Sequence, residues 1–357
     1  MNPGHDVDTL CSQPGHPLIS VVVIGRNEGE RLRRCLASVH AADWHGLPYE
    51  LVYVDSASSD GSAGLARRMD ARVLHAGQPP TAAAGRNLGW HAASADTVLF
   101  LDGDTVLAPG FPALAYAALY EGRYAAVWGH RRELAPCQSV YTAVLDLDWV
   151  YPPGESAYCG GDALFRRSAL LEAGGFDGSL AAGEEPELCR RLRAKGWHIL
   201  HVDAPMTGHD LAITRFSQYW RRAVRSGQAY AQVAARYGAS DDPLWRRECR
   251  RNLLHGTAVV LAPAALAATT VLLPQVAGAL LASGALLMLR SAARALAKAG
   301  SWRLALLYAL HSHAQKVPIL YGQLHCAWQR RQGHEPGLLE YKADAPAGGH
   351  AGRTSCD

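Results

Sequence analysis

The feature of this sequence that carries the most chemistry is the pair Asp102 and Asp104, separated by Gly103 and placed directly after the apolar run TVLFL. Two carboxylates at a strand end, with a glycine allowing the turn, can hold a divalent cation such as Mg²⁺ or Mn²⁺ through oxygen ligands. Such a cation would bridge a diphosphate. The same triplet also makes an ordinary turn. A second carboxylate, Asp55, closes the run YELVYVD ahead of the polar loop SASSDGS. There it can accept a hydrogen bond from a nucleobase N–H or a ribose hydroxyl, or simply cap the next helix. Glu184, Glu185 and Glu187 open the segment GEEPELCRRLRAKG, a spacing that also suits helix-start acids pairing with Arg190 and Arg191.

These residues need a frame that gathers strand ends. From Leu18 the chain alternates LISVVVIG, a helical pattern over Glu28 to His40, YELVYVD, a second helix, ARVLHA, a third helix over Thr81 to Ala93, and DTVLFLD. Short β-branched or Leu-rich runs separated by amphipathic stretches predict a largely parallel sheet covered on both faces, with ligands at the carboxyl ends of its strands. Beyond Phe111 come AAVWGHR, an apolar helix near Val140 to Val150, SAYCGGDALFRRSALLEAGGFD, the acidic helix and the short strand WHILHVD. That half predicts a mixed sheet completing the first. Neither strand-to-helix turn near the N-terminus carries a G-x-G-x-x-G, which sets a Rossmann dehydrogenase aside.

The composition changes at Gly256. No charged residue occurs from Gly256 to Leu289, a stretch broken by Pro263 and by Pro274-Gln275. One span needs roughly 20 apolar residues, so this run is too long for one and just enough for two short ones. The alternative is a buried helical hairpin. Arg246, Arg247, Arg250 and Arg251 precede the run and Arg290, Arg294 and Lys298 follow it, which suits a hairpin returning to the cytoplasmic side. Leu304 to Trp328 is apolar but holds His311, His313, Lys316 and Pro318, as in an interfacial or re-entrant segment. The net charge of +3 argues against nucleic acid as a partner. The eight cysteines show no metal-ligand spacing and are expected to be mostly reduced thiols. The first residues carry no secretory signal pattern, and the front of the chain is expected in the cytoplasm.

Six pieces, ISVVVIGRNEGERLRRCL, ELVYVDSASSDGS, AAAGRNLGWHAA, VLFLDGDT, ALFRRSALLEAGGFD and GEEPELCRRLRAKGW, occur in an order and at a spacing that resemble the family 2 glycosyltransferases. The resemblance covers roughly Leu18 to Asp203. It implies an α/β fold of the GT-A type, Rossmann-like, a mixed sheet with helices on both faces, followed here by a C-terminal helical membrane-associated region. It implies transfer of a sugar with inversion from a nucleotide-diphosphate sugar, a UDP-sugar first, to an acceptor hydroxyl, in the presence of Mg²⁺ or Mn²⁺. Asn27, Glu28 and Asp55 match positions lining the nucleoside pocket, and Arg86 a basic residue near the donor. Asp102 and Asp104 match the metal and donor carboxylates, with Asp104 the direct ligand, and His209 falls where some related enzymes place a third metal ligand. Glu184 and Glu185 match the acidic pair on the acceptor side. That pair usually reads Glu-Asp with the second residue as base, so Glu185 is longer by one methylene. Gln218-Tyr219-Trp220-Arg221-Arg222 resembles the Gln-x-x-Arg-Trp element of processive synthases, with Trp and Arg in another order.

The expected organisation is a flexible N-terminus (1–17), a catalytic domain (18–225), a helical membrane-associated region (226–335) with the hairpin at 256–289, and a flexible tail (336–357). The expected partners are a nucleotide-sugar donor, a lipid-linked or glycan acceptor of cell-envelope or exopolysaccharide assembly, and membrane lipids. The expected location is the inner (cytoplasmic) membrane with the catalytic domain facing the cytoplasm. The competing readings are a processive polysaccharide synthase and an inactive nucleotide-sugar-binding scaffold.

Overall fold

The computed structural model describes residues 16–78 and 80–334. Apart from His16 and Pro17, the segments expected to be flexible, 1–17 and 336–357, lie outside the described residues, whereas all the site residues named above are described.

The first half alternates strand and helix as the apolar periodicity dictates: β1 (Ile19–Gly25), α1 (Glu30–His40), β2 (Tyr49–Asp55), α2 (Ser62–Arg68), β3 (Arg72–His75), α3 (Ala82–Ala92) and β4 (Thr97–Asp102). These four strands are parallel, in the order β3-β2-β1-β4. Both faces are covered, which is why β1 and β4 read as continuous apolar runs and are buried along nearly their whole length. Helix α1 buries Leu32, Cys35, Leu36 and Val39, one stripe at helical spacing. Each such side chain taken from water contributes about 1.5–3 kcal/mol.

The second half comprises β5 (Thr105–Leu107), α4 (Phe111–Tyr120), β6 (Tyr124–Glu133), α5 (Val140–Asp146), β7 (Gly154–Glu155), β8 (Ala163–Arg166), α6 (Arg167–Ala173), α7 (Glu184–Ala194) and β9 (His198–His209). It extends the same sheet in the order β4-β8-β6-β9-β5, with β7 on β9. Strand β8 is antiparallel to both neighbours, whereas β6 and β9 run parallel with register shifts around His130. The sheet is therefore mixed and continuous. Among the described residues Cys35, Cys159, Cys189, Cys249 and Cys326 are free thiols.

Helix α8 (Phe216–Tyr237) runs unbroken through the boundary expected at 225/226. It is followed by α9 (Arg246–Leu272), α10 (Pro274–Ala299), α11 (Trp302–Ala314) and α12 (Lys316–Arg331). Helix α12 lies tightly on α8, since a Cβ on Gly322 would fall against the Val224 carbonyl. Helices α9 and α10 are 27 and 26 residues long, about 40 Å each. They begin before Gly256 and end after Leu289 because Arg, Leu and Ala continue a helix readily. Both are long and apolar enough to cross a membrane. Val271, Leu272 and Leu286 are 81%, 75% and 68% exposed. The turn between them falls at Leu273. The 304–328 segment forms α11 and most of α12, two separate helices.

Candidate active site

Strand register assembles the centre of the site. Gly25 lies beside Asp55, and Ile24 beside Asp102, at the carboxyl ends of three adjacent parallel strands. After the turn through Gly103, β5 pairs antiparallel with the end of β9, Thr105 opposite His209. That pairing sets His209 beside Asp104, with Nε2 3.4 Å from Asp104 Oδ1. One ligand atom from each of Asp102, Asp104 and His209 lies within 4.8 Å of the other two. His209 is buried and its Nδ1 has no hydrogen-bond partner. Burial, together with the Arg131 charge, pushes its pKa well below the usual value, so the imidazole is neutral. Two carboxylates and a neutral imidazole fit a divalent cation such as Mg²⁺ or Mn²⁺.

Around this centre runs a lattice of buried charges. Arg86, on α3 and only 2% exposed, donates from Nη2 to Asp102 Oδ1 at 2.7 Å and from Nη1 to Glu184 Oε1 at 2.9 Å. Its Nη1 is also 3.4 Å from Glu185 Oε1. Burial would lower the Arg86 pKa, but the four surrounding carboxylates outweigh it and hold it above the usual value. Arg131 takes the other side of Asp102, 3.3 Å from Oδ2, and donates to Asp162 Oδ2 at 3.0 Å. Asp162 is fully buried, accepts the Asp102 amide at 2.9 Å and the Thr207 hydroxyl at 2.8 Å, and so fixes the end of β4. Burial nonetheless raises its pKa. Gly161 is required here, since a Cβ would meet the Arg86 guanidinium, with Asp102 Oδ2 at 3.0 Å and Glu185 Oε1 at 3.2 Å.

Glu185 stands at the start of α7 with 18% of its side chain exposed. Burial and then the Glu184 charge push its pKa up to about 7. Of the three helix-start acids only Glu187 pairs within the helix, with Arg191 at 2.6 Å. Glu184 and Glu185 turn to Arg86 instead.

Asn27, Glu28, Arg86, Asp102, Asp104, Glu184, Glu185 and His209 all line one cavity of ≈560 Å³. Asp55 does not line it. Its Oδ2 accepts the Ser58 amide at 3.1 Å and its Oδ1 lies 3.3 Å from the Tyr53 hydroxyl, so it shapes the loop beside the cavity. Helix α2 is capped by Gly61 without a side-chain bond, so Asp55 is not its cap. Asn27 completes this loop, accepting the Ser59 amide at 2.8 Å. Arg131, Trp149, Arg222 and Arg225 also line the cavity, and sequence reasoning singled out none of them for this role. Arg222 lies in the aromatic-basic run of α8 already noted. Asp162, in the Cys-Gly-Gly-Asp turn, had the glycines as its one signal.

Comparison with known proteins bears on this geometry. Residues 20–172 match the sequence profile of Glycosyl transferase family 2. Residues 20–172 are thus similar to a family 2 glycosyltransferase domain. The "Pre-mycofactocin glycosyltransferase" of Mycobacterium tuberculosis is 29% identical over 250 residues, 65% of this chain and 51% of that protein. "Glycosyltransferase AglE" of Haloferax volcanii is 31% identical over 93 residues, 25% of this chain and 31% of that protein. This chain thus spans about half the length, or less, of these curated relatives. In three dimensions it resembles the mannosyltransferase PcManGT from Pyrobaculum calidifontis, whose structure holds GDP-Man and Mn²⁺, with a TM-score of 0.61 and 23% identity over 87% of each chain. The fold is therefore GT-A.

Proposed function

We propose that the protein transfers a sugar, with inversion, from a nucleotide-diphosphate sugar to an acceptor hydroxyl. The observation that carries this reading is the convergence of Asp102, Asp104 and His209 within 4.8 Å in a cavity that Glu185 also lines. A divalent cation, Mg²⁺ or Mn²⁺, held by Asp104 and His209 with Asp102 beside them, would neutralise charge on the leaving diphosphate. Asp104 is favoured as the direct ligand because both oxygens of Asp102 already face guanidinium groups. Glu185 takes the proton of the acceptor hydroxyl as its oxygen attacks the anomeric carbon. The bond from that carbon to the diphosphate breaks, its electron pair leaving with the diphosphate. One displacement inverts the configuration. Glu184 holds Arg86, which in turn holds Asp102. Asn27 and Glu28 face the nucleoside, and Asp55 supports that end through the Ser58 loop.

A UDP-sugar is the first donor to test, and the GDP-Man held by the Pyrobaculum protein makes GDP-mannose the second. We read the acceptor as a lipid-linked or glycan intermediate of envelope or exopolysaccharide assembly. The two long apolar helices α9 and α10 follow α8, whose Arg222 and Arg225 line the cavity, and this supports reading them as a membrane hairpin beside the site. Arg251 and Arg294 are nearly equidistant in sequence from the turn at Leu273, which puts both at one depth, as on the cytoplasmic side of an inner membrane. The test is a panel of nucleotide sugars with the full chain in detergent, with Mn²⁺, with Mg²⁺ and with EDTA. Metal-dependent binding and turnover of one donor is expected. Equal behaviour in EDTA would refute the metal assignment.

A further inference from the structure

Leu147, Asp148 and Trp149 form a short helical turn between α5 and a stretch, 150–153, that has neither helix nor strand. Helices α10 and α11 hold this turn directly, and α8 braces it through α11. Asp148 Oδ1 accepts the Tyr308 hydroxyl at 2.8 Å, and Oδ2 lies 3.2 Å from His311 Nε2, both on α11. The other nitrogen of buried His311 is 2.8 Å from the Tyr219 hydroxyl of α8. Lys298 of α10 donates to the Leu147 carbonyl at 2.9 Å and sits 3.8 Å from the centroid of the Tyr308 ring. Burial would raise the Asp148 pKa, but the bonds from His311 and Tyr308 outweigh it and hold the carboxyl below its usual range.

The next residue reaches the catalytic cavity. The Trp149 ring lies 5.1 Å from the His209 ring and 5.3 Å from the Arg131 guanidinium, centroid distances in both cases. It thus packs on one member of the metal-binding triad and on the arginine that holds another. Trp149 also packs against the cluster of Leu145, Leu211, Ile213 and Tyr219, and with no regular backbone structure after it its position depends as well on what holds Asp148.

We propose that Asp148 is a positioning residue that ties α8 and α11 to the Asp102, Asp104 and His209 triad through Trp149, so that cation affinity depends on the docking of the C-terminal helices. The proposal rests on the reading of those three residues as metal ligands. Residues that orient metal ligands without touching the metal typically change affinity about 10- to 100-fold when lost.

The test is Mn²⁺ titration of the full chain in detergent by calorimetry, for wild type, Asp104→Ala, Asp148→Asn, Tyr308→Phe, Trp149→Leu and the Asp148→Asn/Trp149→Leu double variant. Tyr308→Phe removes one hydroxyl and guards against misfolding of the Asp148 variant. Asp148→Asn is expected to weaken Mn²⁺ binding by about 10-fold, Tyr308→Phe by less, and the double variant no more than Trp149→Leu alone, because the two act in series. A network that merely stabilises the fold would lower the thermal midpoint and leave Mn²⁺ affinity unchanged, and that result overturns the proposal. Additive losses in the double variant also overturn it. Wild-type protein with no Asp104-dependent Mn²⁺ binding would instead sink the metal reading itself, and the positioning role with it.

Discussion

Arg86 Nη2 lies 2.7 Å from Asp102 Oδ1, so the first carboxylate of the Asp-Gly-Asp turn is held by a buried guanidinium. A residue that in sequence resembles a donor contact is thus also the link between Asp102 and the pair Glu184 and Glu185. Arg86→Ala leaves Asp102, Glu184 and Glu185 facing one another without their shared cation. Breaking a buried pair in this way costs about 3–5 kcal/mol, and a large drop in thermal midpoint is expected. Arg86→Lys should recover only part of it, since an ammonium cannot reproduce the planar fork. Full stability of the lysine variant would contradict the role given to the fork.

Asp104→Ala should abolish the dependence of donor binding on divalent cation. The measurement is donor titration with and without EDTA. A variant that still tightens its donor in Mn²⁺ would move the cation elsewhere.

Glu185→Gln is expected to lower transfer by about 10²-fold or more while donor binding stays near wild type. The base must be ionised, and its pKa is pushed up to about 7. Wild-type transfer should therefore rise with pH toward about 7 and level off above it. The same shift has a stability consequence. A carboxyl whose pKa is raised on folding is costly to ionise, so its contribution falls as pH rises from 4.5 to about 7. At pH 8 the Gln variant should melt no lower than wild type, and a pH-independent transfer rate between 5 and 8, read in roughly unit steps, would remove Glu185 as the base.

Gly161→Ala places a methyl against Arg86, Asp102 and Glu185. Transfer should be largely lost. A crystal structure or donor titration of the variant with the lattice and activity unchanged would show that the loop has room to move.

The hairpin predicts that reporter fusions at Arg290 and at Lys342 both report the cytoplasmic side, and that high salt does not release the protein from membranes. An external signal at either position would overturn the two-crossing topology. Release by salt would overturn insertion.

The first four strands, their parallel character and the position of Asp102 at the end of one of them were legible chiefly because a strand buried on both faces, as β1 and β4 are, is written as an unbroken apolar run. The uncharged stretch from Gly256 to Leu289 and its arginine flanks likewise wrote two long apolar helices into the sequence. The meeting of His209 with Asp104 was decided by the pairing of β5 with β9 across about a hundred residues of chain, which no local pattern encodes. The same holds for Arg131. Register shifts on both sides of His130 break the simple alternation of β6, so side-chain facing there cannot be counted along the sequence. Asp55 shows the converse, a strand-end carboxylate whose position was legible but whose bonds to the Ser58 amide and Tyr53 turn it into loop support. Local periodicity determined which residues stand at strand ends, because burial acts on each element separately. Long-range pairing and the close packing of charged groups decided which of those ends face one another.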